Sequence, residues 1–243
     1  MELTTKLEFD HDDRRDVYDY VESHGSVEPE AARRALNMDP RAFGHHVAIL
    51  KRDNVLVEVD GELRIAYDDE VKAEFETDGI DVTIRRAREE DLTGLVGVIR
   101  QAIGDGSYVD AETVADVIDH EEVLFRNNEL ESRVFFVACI DSEVVGWVNL
   151  TTNETEKLDH TAKLTLGVLE RYRGHGIGSE LHERGLSWAE DNGYEKIYNS
   201  VPATNEGAIE FLEDHGWDTE AVRADHYKIG DDYVDEVMLA IEL

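Results

Sequence analysis

The feature that most constrains this chain is a glycine-spaced turn between a strand and a helix. Residues 161–168, TAKLTLGV, read as a strand, and Arg171-Tyr-Arg-Gly-His-Gly-Ile-Gly178 follows at once. Ile177, Leu181, Gly185 and Trp188 then recur at i, i+4, i+8 and i+11, one face of a helix that Asn192-Gly193 ends. A helix N-terminus presents unpaired N–H groups and about half a positive charge, which favours an anion. Gly174, Gly176 and Gly178 let the main chain approach that anion with no Cβ in the way. A diphosphate is the natural ligand; a glycine turn with no ligand is the plain alternative. The dinucleotide fingerprint G-x-G-x-x-G fails, because Ser179 holds its last glycine position, and the G-x-x-x-x-G-K-[ST] loop is absent.

The segment resembles Arg/Gln-x-x-Gly-x-Gly/Ala, the acyl-CoA pyrophosphate motif of the GNAT superfamily of N-acyltransferases, with Arg171, Gly174 and Gly176 in its fixed positions. Three further blocks stand in the family's order. VTIRRAREEDL (82–92) resembles its opening strand and helix, and VVGWVNL (144–150) its third strand. Asn205-x-x-Ala208-Ile209-x-Phe211-Leu212-Glu213-x-x-Gly216-Trp217 is similar to its last helix. The resemblance covers 82–243 and implies an α/β (α+β) mixed sheet flanked by helices. It also implies acetyl-CoA as co-substrate, with no metal, and an amine acceptor, small molecule or protein. Strands 161–168 and 194–201 would splay to admit the pantetheine arm. The backbone at Leu166 and Val168 would hold pantetheine and polarise the thioester. Arg171 and the amides of Arg173, Gly174, His175, Gly176, Ile177 and Gly178 would cradle the pyrophosphate, the His175 side chain pointing outward. Asn205 would touch the co-substrate or cap a helix, two compatible roles.

The chemistry requires a neutral amine, whereas a lysine-like amine has a pKa near ~10.4, and an oxyanion must then be stabilised. Many family members carry a tyrosine acid where Leu212 stands, and a carboxylate base on the strand that here reads TAKLTLGV. His160, at that strand's start, is the best-placed titratable residue, with Asp159, Glu156 and Tyr227 behind it; a surface histidine and a water chain are the alternatives. Cys139 reads as core, and Trp147 and Asn149 as core or acceptor lining. The ten histidines show no metal-ligand spacing, and adjacent His45 and His46 point apart on a helix. The segment 104–132 and the hairpin 219–236 would line the acceptor site. Both are acidic, which favours a cationic amine.

Upstream, 11–24 reads as a helix ended by Gly25, and Ser26 as the cap of a second helix containing Pro29. Asp39-Pro40 opens a third, with Phe43, Val47 and Leu50 on one face. VLVEV and ELRIAY flank Asp60-Gly61, a hairpin signal. Three helices followed by a hairpin resemble the winged helix-turn-helix family over 9–67. Between Ala31 and Arg52 stand Arg33, Arg34, Arg41, Lys51 and Arg52 against one acid, Asp39. Arg41, His45, Lys51 and Arg52 on the recognition helix, and Arg64 on the hairpin, are the expected DNA contacts. Solvation or a protein partner are the alternatives. The expected domains are 1–67, an acidic linker 68–80 that could hold a short helix, and 81–243.

The chain's 243 residues have room for two domains, and no apolar run reaches the ~18 residues of a membrane span. The N-terminus lacks the basic and apolar regions of a secretory signal, and one cysteine excludes an internal disulfide. A cytoplasmic protein is expected, its oligomeric state open and a homodimer among the options. The 57 acidic against 24 basic residues give −33, spread along the chain as a solvated surface. This resembles proteins of salt-in halophiles. Two functions fit: an N-acetyltransferase, or a transcription regulator that senses acyl-CoA without turnover.

Overall fold

Local signals account for the first elements. In the computed structural model, which describes residues 9–53, 55–66, 73–104, 108–127, 131–153 and 155–243, α1 spans Asp12–His24. β1 (Ser26–Val27), α2 (Pro29–Ala35) and α3 (Pro40–Arg52) follow. The Asp39 carboxylate caps α3 by accepting from the N–H groups of Arg41 and Ala42. β2 (Leu56–Val59) and β3 (Glu62–Ile65) form the hairpin, and β1 adds to β3 to give the order β1-β3-β2. Ser26 does not cap α2. It lies in β1, and its hydroxyl donates to Glu62 instead. Val17, Val21, Phe43, Leu50 and Leu63 fill this core.

Among the described residues the larger sheet has nine strands. β4 (Ala73–Thr77) and β5 (Ile80–Arg86) form an antiparallel hairpin at one edge. The polar stretch 68–80 is therefore not simply a linker. AEFET alternates, Phe75 packs on the core, and Asp78 and Gly79 turn the chain at positive φ. The part of that expectation at 68–72 lies outside the described residues. α4 (Leu92–Ile103) and α5 (Val109–Glu121) come next. α5 ends at Glu121: Glu122 is left-handed at φ 56°, Val123–Phe125 turn inward, and β6 (Arg126–Asn127) pairs with the next strand. β7 (Glu131–Ile140), β8 (Glu143–Asn153), β9 (Thr161–Val168), α6 (Ile177–Asp191), β10 (Lys196–Pro202), α7 (Glu206–Asp214), β11 (Asp218–Ile229) and β12 (Asp232–Glu242) complete the chain. The order is β11-β12-β10-β9-β8-β7-β5-β4, with β6 pairing β7 from outside this path. Among the described residues only β9 and β10 run parallel.

Alternation along β8 and β9 divides the two faces. Val148, Leu150 and Leu164 meet α6, where a Cβ on Gly185 would stand 3.0 Å from Val148 and Leu164. Asn149, Thr151, Lys163 and Thr165 face α5. Phe125, from the second domain, is buried in the first domain's core, and Arg126 and Asn127 bond Glu22. The two domains are therefore packed together. No helix among the described residues is long and apolar enough to cross a membrane.

Candidate active site

The loop before α6 is held open by its glycines. Gly174 and Gly176 sit at φ 80° and 79°, a region costly for residues with a Cβ. Gly176 is the N-cap of α6, and its carbonyl accepts from Glu180 N–H. The N–H groups of Ile177, Gly178 and Ser179 precede that first helical bond. Arg173 braces the loop from behind: Nε donates to Val168 O at 3.0 Å, and Nη2 to Ala102 O at 3.3 Å. The exposed guanidinium of Arg171 lies 4.9 Å from the Tyr172 ring centre. His175 does not point simply outward. Its Nδ1 lies 2.7 Å from Asp78 Oδ2, so the β4–β5 turn touches the loop. Asn205 accepts from Ala208 N–H through Oδ1, the cap of α7.

β9 and β10 pair through Thr161–Lys196, Ala162–Ile197 and Lys163–Tyr198, and then part. β9 stays bound to β8 as far as Val168, and β10 to β12 as far as Pro202. The Leu166 N–H opens into this cleft, where it donates to Tyr108 Oη at 3.4 Å. Asn199 Nδ2, from β10, donates to the same oxygen at 3.2 Å. Tyr108 thus bridges both arms of the splay, and burial pushes its phenol up to about 12. It accepts two bonds, and its own proton stays available. Sequence reasoning missed this residue. It stands one position before α5, and only contacts 58 and 91 residues away in the chain give it a role.

Gly167 positions this cleft. A Cβ there would come within 2.3 Å of the Trp147 ring, which is fully buried. Trp147 is therefore core. Beside it, under α5, lies a cavity of about 180 Å³ lined by Asp110, Val114, Val117, Asn149, Lys163 and Thr165. Asp110 and Lys163 pair at 2.8 Å, and the enclosed hydroxyl of Thr165 has no partner. Asn149 is buried, donating to Val134 O. Across the sheet end, Tyr227 donates to Glu236, which also pairs with Arg223 at 2.9 Å. Burial first, then Asp110 and Glu236, push the Tyr227 phenol upward.

His160 is not in the cleft. It is exposed where β9 begins, its carbonyl accepting from Glu195 N–H at the closed end of the splay. Six residues of strand separate it from Leu166, about 20 Å. Asp159 is likewise exposed. Leu212, where the family's tyrosine acid would stand, is buried core. Cys139 is buried too.

In the first domain Arg41, His45, Ala48 and Arg52 form an exposed row along α3. Three of the expected DNA contacts already hold internal partners. Lys51 pairs with Glu58 at 2.7 Å and Arg52 with Asp53 at 2.8 Å. Arg64 is turned inward, Nε donating to Ser26 Oγ at 2.8 Å, because β3 is the central strand and not the hairpin's free edge.

Residues 105–217 match the model of the Acetyltransferase (GNAT) family. The chain is 35% identical over 93 residues to a probable N-acetyltransferase, san, of Drosophila melanogaster, covering 38% of this chain and 50% of that one. It is 25% identical over 138 residues to a putative phosphinothricin acetyltransferase, YwnH, of Bacillus subtilis, covering 56% of this chain and 83% of that one. The chain thus spans about half the length of the first relative. Among solved structures, a putative phosphinothricin N-acetyltransferase superposes with a TM-score of 0.56 at 21% identity, covering 67% of this chain and 98% of that one. The putative acetyltransferase yncA of Salmonella typhimurium, solved with its cofactor acetyl-CoA, does so at 0.54 and 15%, covering 67% and 94%. The second domain has the GNAT fold.

Proposed function

We propose that the protein is an acetyl-CoA-dependent N-acetyltransferase acting by direct attack of an amine on the thioester. The observation that carries this reading is the Leu166 N–H, open in the β9–β10 cleft and met there by the Tyr108 phenol. In this reading, the amides at Gly174–Gly178 take the pyrophosphate. Pantetheine runs between the strands, and its acetyl oxygen takes the Leu166 N–H, displacing the Tyr108 oxygen. As the amine nitrogen bonds the acetyl carbon, negative charge develops on that oxygen. Leu166 N–H and Tyr108 O–H both donate to it. A phenol near 12 is too weak an acid to surrender its proton at neutral pH and well suited to hold an oxyanion. The C–S bond then breaks and CoA leaves. The acceptor enters from the cavity beside the Asp110–Lys163 pair, and water carries the amine's proton away.

The first domain is read as a winged helix whose α3 meets DNA through Arg41 and His45, exposed polar members of the row that hold no ion pair among the described residues. The Arg41→Glu variant then loses binding in a mobility shift on genomic fragments; unchanged binding refutes this interface.

The test of the enzyme reading is thiol release from acetyl-CoA across a panel of amines, in high salt. Release that requires an amine supports it. Tight acetyl-CoA binding without release for any amine favours a sensor, and absence of binding refutes both.

A further inference from the structure

We propose that the first domain carries a transition-metal site made by His11, Asp13 and His46. One ligand atom from each residue lies within 4.8 Å of the other two. His46 Nε2 is 3.5 Å from Asp13 Oδ2, and His11 Nδ1 is 3.8 Å from the same oxygen. The two imidazole centres are 4.9 Å apart. Zinc holds imidazole nitrogen and carboxylate oxygen at ~2.0–2.2 Å, which sets neighbouring ligands of a tetrahedron about 3.4 Å apart. Both edges at Asp13 are within a few tenths of an ångström of that figure. The third closes by rotation of the exposed His11 side chain, whose Nδ1 then exchanges the bond it accepts from Asp13 N–H at 3.2 Å for the ion.

A second observation points the same way. The His46 side chain is only 7% exposed, and its Nδ1 is enclosed with no hydrogen-bond partner. A polar ring placed in a core needs a reason. This one turns its other nitrogen to a carboxylate and a second histidine. Two imidazoles and a carboxylate suit zinc, cobalt or nickel better than magnesium or calcium, which prefer all-oxygen sites. Neighbouring Asp10, Asp12 and Asp16 add negative charge by sequence. Arg14 opposes it, with its guanidinium 3.7 Å from Asp10. The bound ion would clasp the start of α1 to the middle of α3, the helix that bears the Arg41–His45 row. A fourth position is left open to solvent on the His11 side.

The test uses the tag-free full chain, stripped with chelator and titrated with Co2+ in high-salt buffer. The expected result is one equivalent bound, with the strong visible bands of tetrahedral cobalt, which one equivalent of Zn2+ removes. His11→Ala and Asp13→Asn change surface-accessible side chains, so circular dichroism and acetyl-CoA binding are expected to persist. Each weakens cobalt binding at least about tenfold, the lower end of what even outer-shell partners contribute. Absence of the bands in the folded wild type overturns the proposal. So do bands of full strength in the double variant.

Discussion

Tyr108 Oη accepts from Leu166 N–H at 3.4 Å, so a side chain from the start of α5 closes on a main-chain donor of β9. Asn199 Nδ2 fixes the same oxygen from the opposite arm at 3.2 Å. The phenol therefore stands where two separating strands leave unpaired donors.

Tyr108→Phe removes the hydroxyl and keeps the ring. If the hydroxyl holds the oxyanion, kcat falls about 10²–10³-fold, the usual effect of deleting one such donor. Acetyl-CoA affinity changes little, because the pyrophosphate contacts are untouched. Steady-state kinetics beside calorimetry separates the two quantities. Equal kcat in the variant would assign the tyrosine to packing alone.

Gly167→Ala drives a methyl toward the Trp147 ring, which a Cβ would meet at 2.3 Å. The ring is wholly buried. Overpacking of this kind costs about 1–3 kcal/mol. Displacing Trp147 also moves the β9 backbone beside Leu166, so activity falls with stability. Denaturant unfolding and thiol release measure the pair.

Stability falls as pH drops from about 7 to about 4. His182 is buried between α6 and α7, where its Nε2 accepts from Trp217 Nε1–H at 2.8 Å. Burial, with His215 adding to it, lowers its pKa from 6.5 to about 4. The unfolded chain therefore takes a proton first, and folding loses on the order of 3 kcal/mol across that window. Below about 4 both states are protonated and this contribution levels off. Unfolding curves at several pH values, for the wild type and for His182→Gln, test it. The variant's slope is shallower by the contribution of one histidine.

Phe125→Ala removes a ring that the second domain buries in the core of the first. The loss is about 3–5 kcal/mol. Because Glu22 also accepts from Asn127 N–H at 2.9 Å, the two domains unfold together in the wild type. In the variant, two transitions replace one. Calorimetric melting in high salt shows the difference.

Local chemistry made much of this legible in the sequence. Asp39-Pro40, Asp60-Gly61 and Asn192-Gly193 marked helix and turn boundaries because caps and tight turns are decided by neighbouring residues. The Gly174–Gly178 loop was readable for the same reason. Tyr108 was not, since its role depends on Leu166 and Asn199, which only the sheet brings near. His160 misled because residue type and nearness to β9 said nothing of which end of the strand opens. The acidic stretch 68–80 read as a linker because charge outweighed the weak alternation of Ala73–Thr77. Its Phe75 finds the core only through pairing with β5.

The most direct test is a crystal structure of the chain with acetyl-CoA. The account predicts the diphosphate on the amides of Gly174–Gly178, and the acetyl oxygen on Leu166 N–H with the Tyr108 hydroxyl beside it. A diphosphate bound elsewhere, or a thioester remote from Leu166, contradicts it.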